Sequence, residues 1–192
     1  GAWRSPLRKV VAKGLRHAQR QAAKWNDGVV VPCADGKQYL LDHFGARDER
    51  VRVVWHGVPD DYLDRAPAGQ AARWQRILHV SQLSANKGGA QMREVARRLL
   101  EANPAVSMTW VCPAPRHAAI LEGLPEAIGD RLQLRDWGDR EALLELYDSH
   151  GIFLFPTLAE GAAKVVMEAM ARGMCVVSSD TSGPSDYIDS GV

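Results

Sequence analysis

The chain has 192 residues, 46% of them hydrophobic and 24% charged, which suits one packed domain, or one domain with part of another, rather than a disordered segment. A net charge of +1 makes no global case for nucleic acid or an anionic membrane, and no uninterrupted apolar run approaches the ~18 residues of a membrane span. Cys33, Cys112 and Cys175 lie far apart without CxxC spacing, which argues against a disulfide framework or a zinc site; they read as small core residues of a reducing cytoplasm. No signal peptide is visible, and with Gly1 first and Gly191-Val192 following a strand-to-helix turn, the sequence reads as a piece of a longer protein.

Residues 4 to 26 carry seven basic residues (Arg4, Arg8, Lys9, Lys13, Arg16, Arg20, Lys24) and no acid. Leu7, Val10, Val11, Leu15, Ala18 and Ala22 recur at three- and four-residue spacing, so an amphipathic helix is predicted. Its basic face is either the solvated outside of a packed helix or a peripheral contact with an anionic membrane surface. A buried strand (29–33), a short helix (36–44) and a strand (51–55) follow, ending in His56-Gly57-Val58-Pro59. From Asp60 the chain is polar and aperiodic, with Pro67 and Gly69, and residues 59–71 read as a linker.

Beyond the linker the alternation restarts. Strands are expected at 76–80, 106–112, 132–134, 152–155 and 174–177, with helices at 91–102, 116–121, 140–148 and from the Glu160-Gly161 loop to Ala171. Strands alternating with helices of about ten residues mean an α/β fold with a doubly wound parallel sheet. In such sheets ligands lie outside the carboxyl ends of the strands, where loops enter helix N-termini.

Two of these loops carry suitable chemistry. The first, Ser81 to Gly89, holds Gln82 and Lys87 at a strand end. It has neither the GxxxxGK[ST] nor the GxGxxG spacing, which disfavours a Walker NTPase and a plain Rossmann oxidoreductase. The second, Thr157 to Ala163, ends in Glu160, Gly161, Ala162 and Ala163, whose small side chains leave backbone amides open to a phosphate oxygen. Taken singly, Lys87 is an ordinary surface lysine. Glu160 alone is a helix N-terminal carboxylate worth ~0.3–1 kcal/mol against the dipole, and Glu168 alone a solvated helix residue. Taken together, the loops offer a cation and amides for phosphate, and carboxylates for sugar hydroxyls, the combination a nucleoside diphosphate-sugar needs.

The run EGAAKVVMEAMARGMCVV, from Glu160 to Val177, resembles the E-x7-E region of the family 4 glycosyltransferases, EGFGxxxxEAMAxGxPVV. VSQLSANKGG resembles their GRLxxxKG loop, HGVP the turn near the domain junction, Asp136-Trp137-Gly138 the turn before the base-binding region, and Ser182-Gly183-Pro184 a following glycine-rich turn. The resemblance runs in order from about residue 25 to the end. It implies the GT-B fold of two Rossmann-like domains. Residues 1–58 would be the tail of the N-terminal acceptor domain, and 72–192 a donor domain truncated at its C-terminus. It implies a metal-independent, retaining transfer from a nucleoside diphosphate-sugar, with no cofactor, to a glycan, lipid or small-molecule acceptor, and no nucleic acid partner. By resemblance Glu160 lies near donor sugar hydroxyls, Glu168 accepts from the ribose, and Lys87 with the amides of Gly161 to Ala163 holds the diphosphate. No DxD motif occurs, consistent with the absence of a metal.

Departures qualify the match. Gln82 stands where the family has Arg, Ala163 replaces Gly and Cys175 replaces Pro. Lys164, in the first turn of the helix, opposes the dipole unless an anion binds there; it either restores the charge lost at Gln82 or points into solvent. The missing arginine keeps open a non-catalytic nucleotide-sugar-binding relative, and the shared fold a nucleotide-sugar epimerase, which the E-x7-E run disfavours. The upstream strands that complete an acceptor site lie outside these residues, so this piece alone is expected to be inactive.

Overall fold

The computed structural model describes residues 6–64 and 71–189. The chain forms two compact units, Gly1–His56 and Gly57–Val192.

The first unit holds α1 (Pro6–Trp25), β1 (Val29–Val31), α2 (Ala34–Phe44) and β2 (Val51–Val53). β1 and β2 pair in parallel with Val29 opposite Val51. β1 is shorter than expected because Cys33 leaves the strand to cap α2, its Sγ accepting from the Gly36 N–H at 3.3 Å. Nor is it a fully buried strand, since Val30 is 67% exposed. The amphipathic helix forms as expected. Its residues from Val11 to Ala22 are all exposed, Ala23 is buried, and Arg20 reaches over the Phe44 ring of α2. Among the described residues no helix is long and apolar enough to cross a membrane.

The second unit is a five-stranded parallel sheet in the order β5-β4-β3-β6-β7. Its elements are β3 (Arg76–Val80), α3 (Gly89–Ala102), β4 (Ser107–Val111), α4 (His117–Leu121), β5 (Leu132–Arg135), α5 (Arg140–Ser149), β6 (Ile152–Phe155), α6 (Lys164–Ala171), β7 (Cys175–Ser178) and α7 (Ser182–Ser185). The central strands β3, β4 and β6 are covered by helices on both faces, as a parallel sheet requires, while the edge strands β5 and β7 keep exposed residues. On one face Ile77, Met108, Trp110 and Leu132 pack against Met92, Ala96 and Leu100 of α3 and Ile120 of α4. On the other, Leu78, Val80, Phe153 and Phe155 pack against Tyr147 of α5 and Val166 and Ala169 of α6. Asp139 caps α5 by accepting from the Ala142 N–H at 2.9 Å. The chain runs outward in both directions from β3 and β6. Their boundary is the topological switch point, and the loops leaving their carboxyl ends flank a crevice.

Two further expectations need correction. Cys33 and Cys112 are buried, but Cys175 is exposed: it alternates on β7 with Val176, and only Val176 packs into the core. The first part of the expected linker also belongs to the second unit. Residues Asp60–Tyr62 form a 3-10 turn, and Tyr62, 2% exposed, packs edge-on against Tyr147 with ring centroids 6.0 Å apart. The Arg172 guanidinium, 1% exposed, donates to the Tyr62 carbonyl at 3.2 Å and to both oxygens of Asp148 at 2.7 and 2.8 Å. Arg73 donates in turn to the carbonyls of Arg172 and His150, both at 3.1 Å. A buried guanidinium is tolerated only when its donors are paired, and these partners come from three separate segments. Residues 65–70 of the expected linker lie outside the described residues.

Candidate functional site

The loops that leave β3 and β6 are joined at the switch point. Ala85–Lys87 forms a 3-10 turn, with the Ser84 carbonyl accepting from the N–H groups of Lys87 and Gly89 at 3.2 and 3.0 Å. The Asn86 carbonyl then accepts from the N–H groups of Leu158 and Ala159 at 3.0 and 3.1 Å, and from Thr157 Oγ1 at 3.2 Å. Gly88 turns the chain into α3 at φ 67°, and an ideal Cβ there would lie 1.8 Å from the Pro156 carbonyl oxygen. Only glycine allows both the dihedral and this approach. The turn after β7 closes on the same place. Gly183 N–H donates to the Glu160 carbonyl at 3.2 Å, and a Cβ on Gly183 would meet the Gly161 oxygen at 2.0 Å.

This stitching brings Lys87 and Glu160, 73 residues apart in sequence, into an ion pair between Nζ and Oε2. Their side chains are 27% and 15% exposed, so the pair lies at the mouth of the crevice. Behind Glu160, the N–H groups of Gly161, Ala162 and Ala163 have no acceptor among the described residues. Gly161 is exposed and Ala163 buried, so this amide run passes from solvent into the start of α6. The arrangement presents a cation, a carboxylate and open donors within one loop cluster, able to take an anion beside a hydroxylated group.

Glu168 is not the solvated residue its helical position suggests when taken alone. It is half-buried, and the Tyr147 hydroxyl donates to its Oε2 at 2.9 Å. Burial pushes its carboxyl above the usual range, while Tyr147, Lys164 and Arg140 pull it back down. Tyr147 was missed by sequence reasoning. It lies 21 residues from Glu168 on another helix, and no local motif links the two. Lys164 is exposed, with Glu168 the charge it acts on; Gln82 is exposed and no described contact joins it to the Lys87–Glu160 pair. The Asp136 turn joins the loops after β4 and β5, its Oδ1 accepting from the N–H groups of Ala114 and Trp137 at 3.1 and 2.8 Å. Beside it a groove of about 400 Å³ is lined by Val111, Arg135, Trp137, Gly138, Leu143 and Leu146. Among the described residues no group of three or more His, Cys, Asp or Glu side chains is placed to hold a metal ion.

The family model described as "Glycosyl transferases group 1" matches residues 74–192, which is more than half of the chain. The chain belongs to that family. Among curated relatives, the amylovoran biosynthesis glycosyltransferase AmsK of Erwinia amylovora is 26% identical over 171 residues, covering 85% of this chain and 42% of the relative. The chain thus spans less than half the length of the curated relatives it matches. Among solved structures, S. aureus TarM in complex with UDP superposes with a TM-score of 0.76 at 19% identity, over 90% of this chain and 34% of TarM. Anabaena HepE in complex with UDP and glucose gives 0.73 at 19% identity, over 94% of this chain and 51% of HepE. At such identity these neighbours bear on the fold, which is GT-B-type: a Rossmann-like parallel sheet with flanking helices.

Proposed function

We propose that the protein carrying this chain transfers a sugar, with retention, from a nucleoside diphosphate-sugar to a glycan, lipid or small-molecule acceptor. The observation that carries this reading is the Lys87–Glu160 ion pair at the β3/β6 switch point, set against the open amides of Gly161 to Ala163. In this reading the donor displaces the pair. Lys87 and the amides take the diphosphate, Glu160 takes hydroxyls of the sugar, and Glu168 takes hydroxyls of the ribose. Glycosyl transfer builds negative charge on the departing diphosphate, and donors already aimed there stabilise it without reorganising. That charge balance needs no metal. The complexes of TarM and HepE with UDP support a nucleoside diphosphate as the ligand class.

Lys164 supplies part of the charge that Gln82 lacks, being a cation in the first turn of α6. Titrating UDP into a Lys164→Ala variant should weaken binding severalfold, and unchanged affinity refutes this role. The function itself is tested on the full-length gene product by nucleoside diphosphate release from UDP-, GDP- and ADP-sugars, with and without acceptors, in EDTA. Release that requires an acceptor and yields the retained anomer supports the reading. Donor binding without release across the panel would instead identify a non-catalytic nucleotide-sugar-binding protein, the outcome that an uncharged Gln82 favours.

A further inference from the structure

One of the two carboxylate oxygens of Glu168 is already engaged, and the group engaging it is unusually well fixed. Tyr147 has no exposed surface, and its ring packs between Tyr62 and Phe153, each with centroids 6.0 Å away. Its hydroxyl lies 2.9 Å from Glu168 Oε2 and 3.3 Å from the Val165 carbonyl. A hydroxyl has one proton, and the shorter contact, to a carboxylate, is the stronger acceptor. Burial and the neighbouring Glu168 charge push the phenol well up, so Oη remains a donor throughout the working pH range. Glu168 Oε1 has no partner among the described residues and is not buried. The other groups acting on Glu168 are Arg140 from α5 and Lys164 from α6, while Tyr62 from the 3-10 turn faces its charge.

We propose that Tyr147 is a positioning residue for donor binding: by saturating Oε2 from a rigid anchor on α5, it fixes the Glu168 carboxylate and leaves Oε1 to accept from the donor's ribose hydroxyls. This rests on the function proposed above and names how one of its contacts is set. A hydroxyl taken from a carboxylate leaves that carboxylate free to rotate and easier to protonate, and a protonated Glu168 no longer accepts through both oxygens.

The test uses the full-length gene product and four forms: wild type, Tyr147→Phe, Glu168→Gln and the double variant. UDP, GDP and ADP are titrated by calorimetry, and the best binder is then compared with its 2′-deoxy and 3′-deoxy forms. Tyr147→Phe should weaken the ribonucleotide about tenfold, the scale of a hydrogen bond to a charged group. It should change binding of the deoxy form that lacks the contacted hydroxyl less than twofold, and should add nothing on top of Glu168→Gln. Equal weakening of ribo and deoxy forms would mean a merely structural tyrosine, and no weakening at all would overturn the proposal outright. Should Tyr147→Phe unfold, Glu168→Asp draws the carboxylate back from Oη and carries the same comparison. If none of the three nucleotides binds wild type, the proposed function itself fails and takes this inference with it.

Discussion

Replacing Gly88 by alanine probes how tightly the two loops of the site depend on each other. The residue sits at φ 67°, where an L side chain costs about 1–2 kcal/mol. The new Cβ would also lie 1.8 Å from the Pro156 oxygen. That is about 1.5 Å short of the ~3.3 Å at which a carbon rests against a carbonyl oxygen. The obstacle is backbone, which cannot swing aside as a side chain could, so the β3–α3 and β6–α6 loops must part. Overpacking of this kind adds ~1–3 kcal/mol. Parting the loops also strains the three bonds to the Asn86 carbonyl, each worth ~1 kcal/mol. Gly88→Ala should therefore lower stability by about 3 kcal/mol, read from urea unfolding of the full-length gene product. It should also weaken UDP binding at least tenfold, because Lys87 and the amides of Gly161 to Ala163, which lie on the two parted loops, are no longer held together. Gly129→Ala, where a Cβ meets nothing within 4 Å, is the control and should change neither. Wild-type stability and UDP affinity in Gly88→Ala would refute the close docking of the loops.

Three further outcomes are expected. Glu160→Gln removes the carboxylate that neutralises Lys87, so UDP alone should bind a few times more tightly while sugar transfer is lost; weaker UDP binding would show that Glu160 itself holds the nucleotide. Arg172→Met strands Asp148 and the Tyr62 carbonyl. Breaking a buried pair costs ~3–5 kcal/mol, and with Asp148 37% exposed, solvent screening reduces this to about 2–3. Adding Asp148→Leu should recover part of that loss in denaturant titration, and no recovery would mean that the ion pair is not what the arginine supports. His79, 1% exposed, donates through its Nδ1–H to the Leu154 carbonyl at 2.7 Å, and burial lowers its pKa from 6.5 to about 4. Below pH 6.5 the unfolded chain takes up a proton that the folded imidazole refuses, so stability falls with pH down to about 4 and then levels off. Between pH 7 and 5 this contributes about 2 kcal/mol of lost stability, and His79→Leu should lose less over that interval from its own baseline. An equal loss in both proteins would assign the pH dependence to other groups, His150 included, whose pKa is also lowered by burial.

Much of the second unit was legible in the chain because its signals are local. Apolar runs of four or five residues, helical spacing between them, and Gly or Pro at the junctions are set by neighbours in sequence. They placed β3, β6 and α5 to within a residue at either end. Residue chemistry likewise singled out the Lys87 and Glu160 loops, since a short strand running into a small-residue helix start is a one-dimensional pattern. The same reading overestimated β1, where a cysteine expected to extend the strand instead caps the next helix. It also misjudged Cys175, because which face of β7 is covered depends on where α6 packs.

What the sequence by itself determined, then, is the alternation of strand and helix, the direction of the sheet and the loops that carry charge. The tertiary structure alone decided which of those charges meet. The strand order β5-β4-β3-β6-β7 makes β3 and β6 neighbours, and so joins Lys87 to Glu160 across 73 residues. The packing of α5 beside α6 gives Glu168 its tyrosine, and the burial of Arg172 draws Tyr62 out of an apparent linker into the core. These contacts are long-range because a buried or half-buried charge must find its partner wherever the fold brings one, and no spacing along the chain records that requirement.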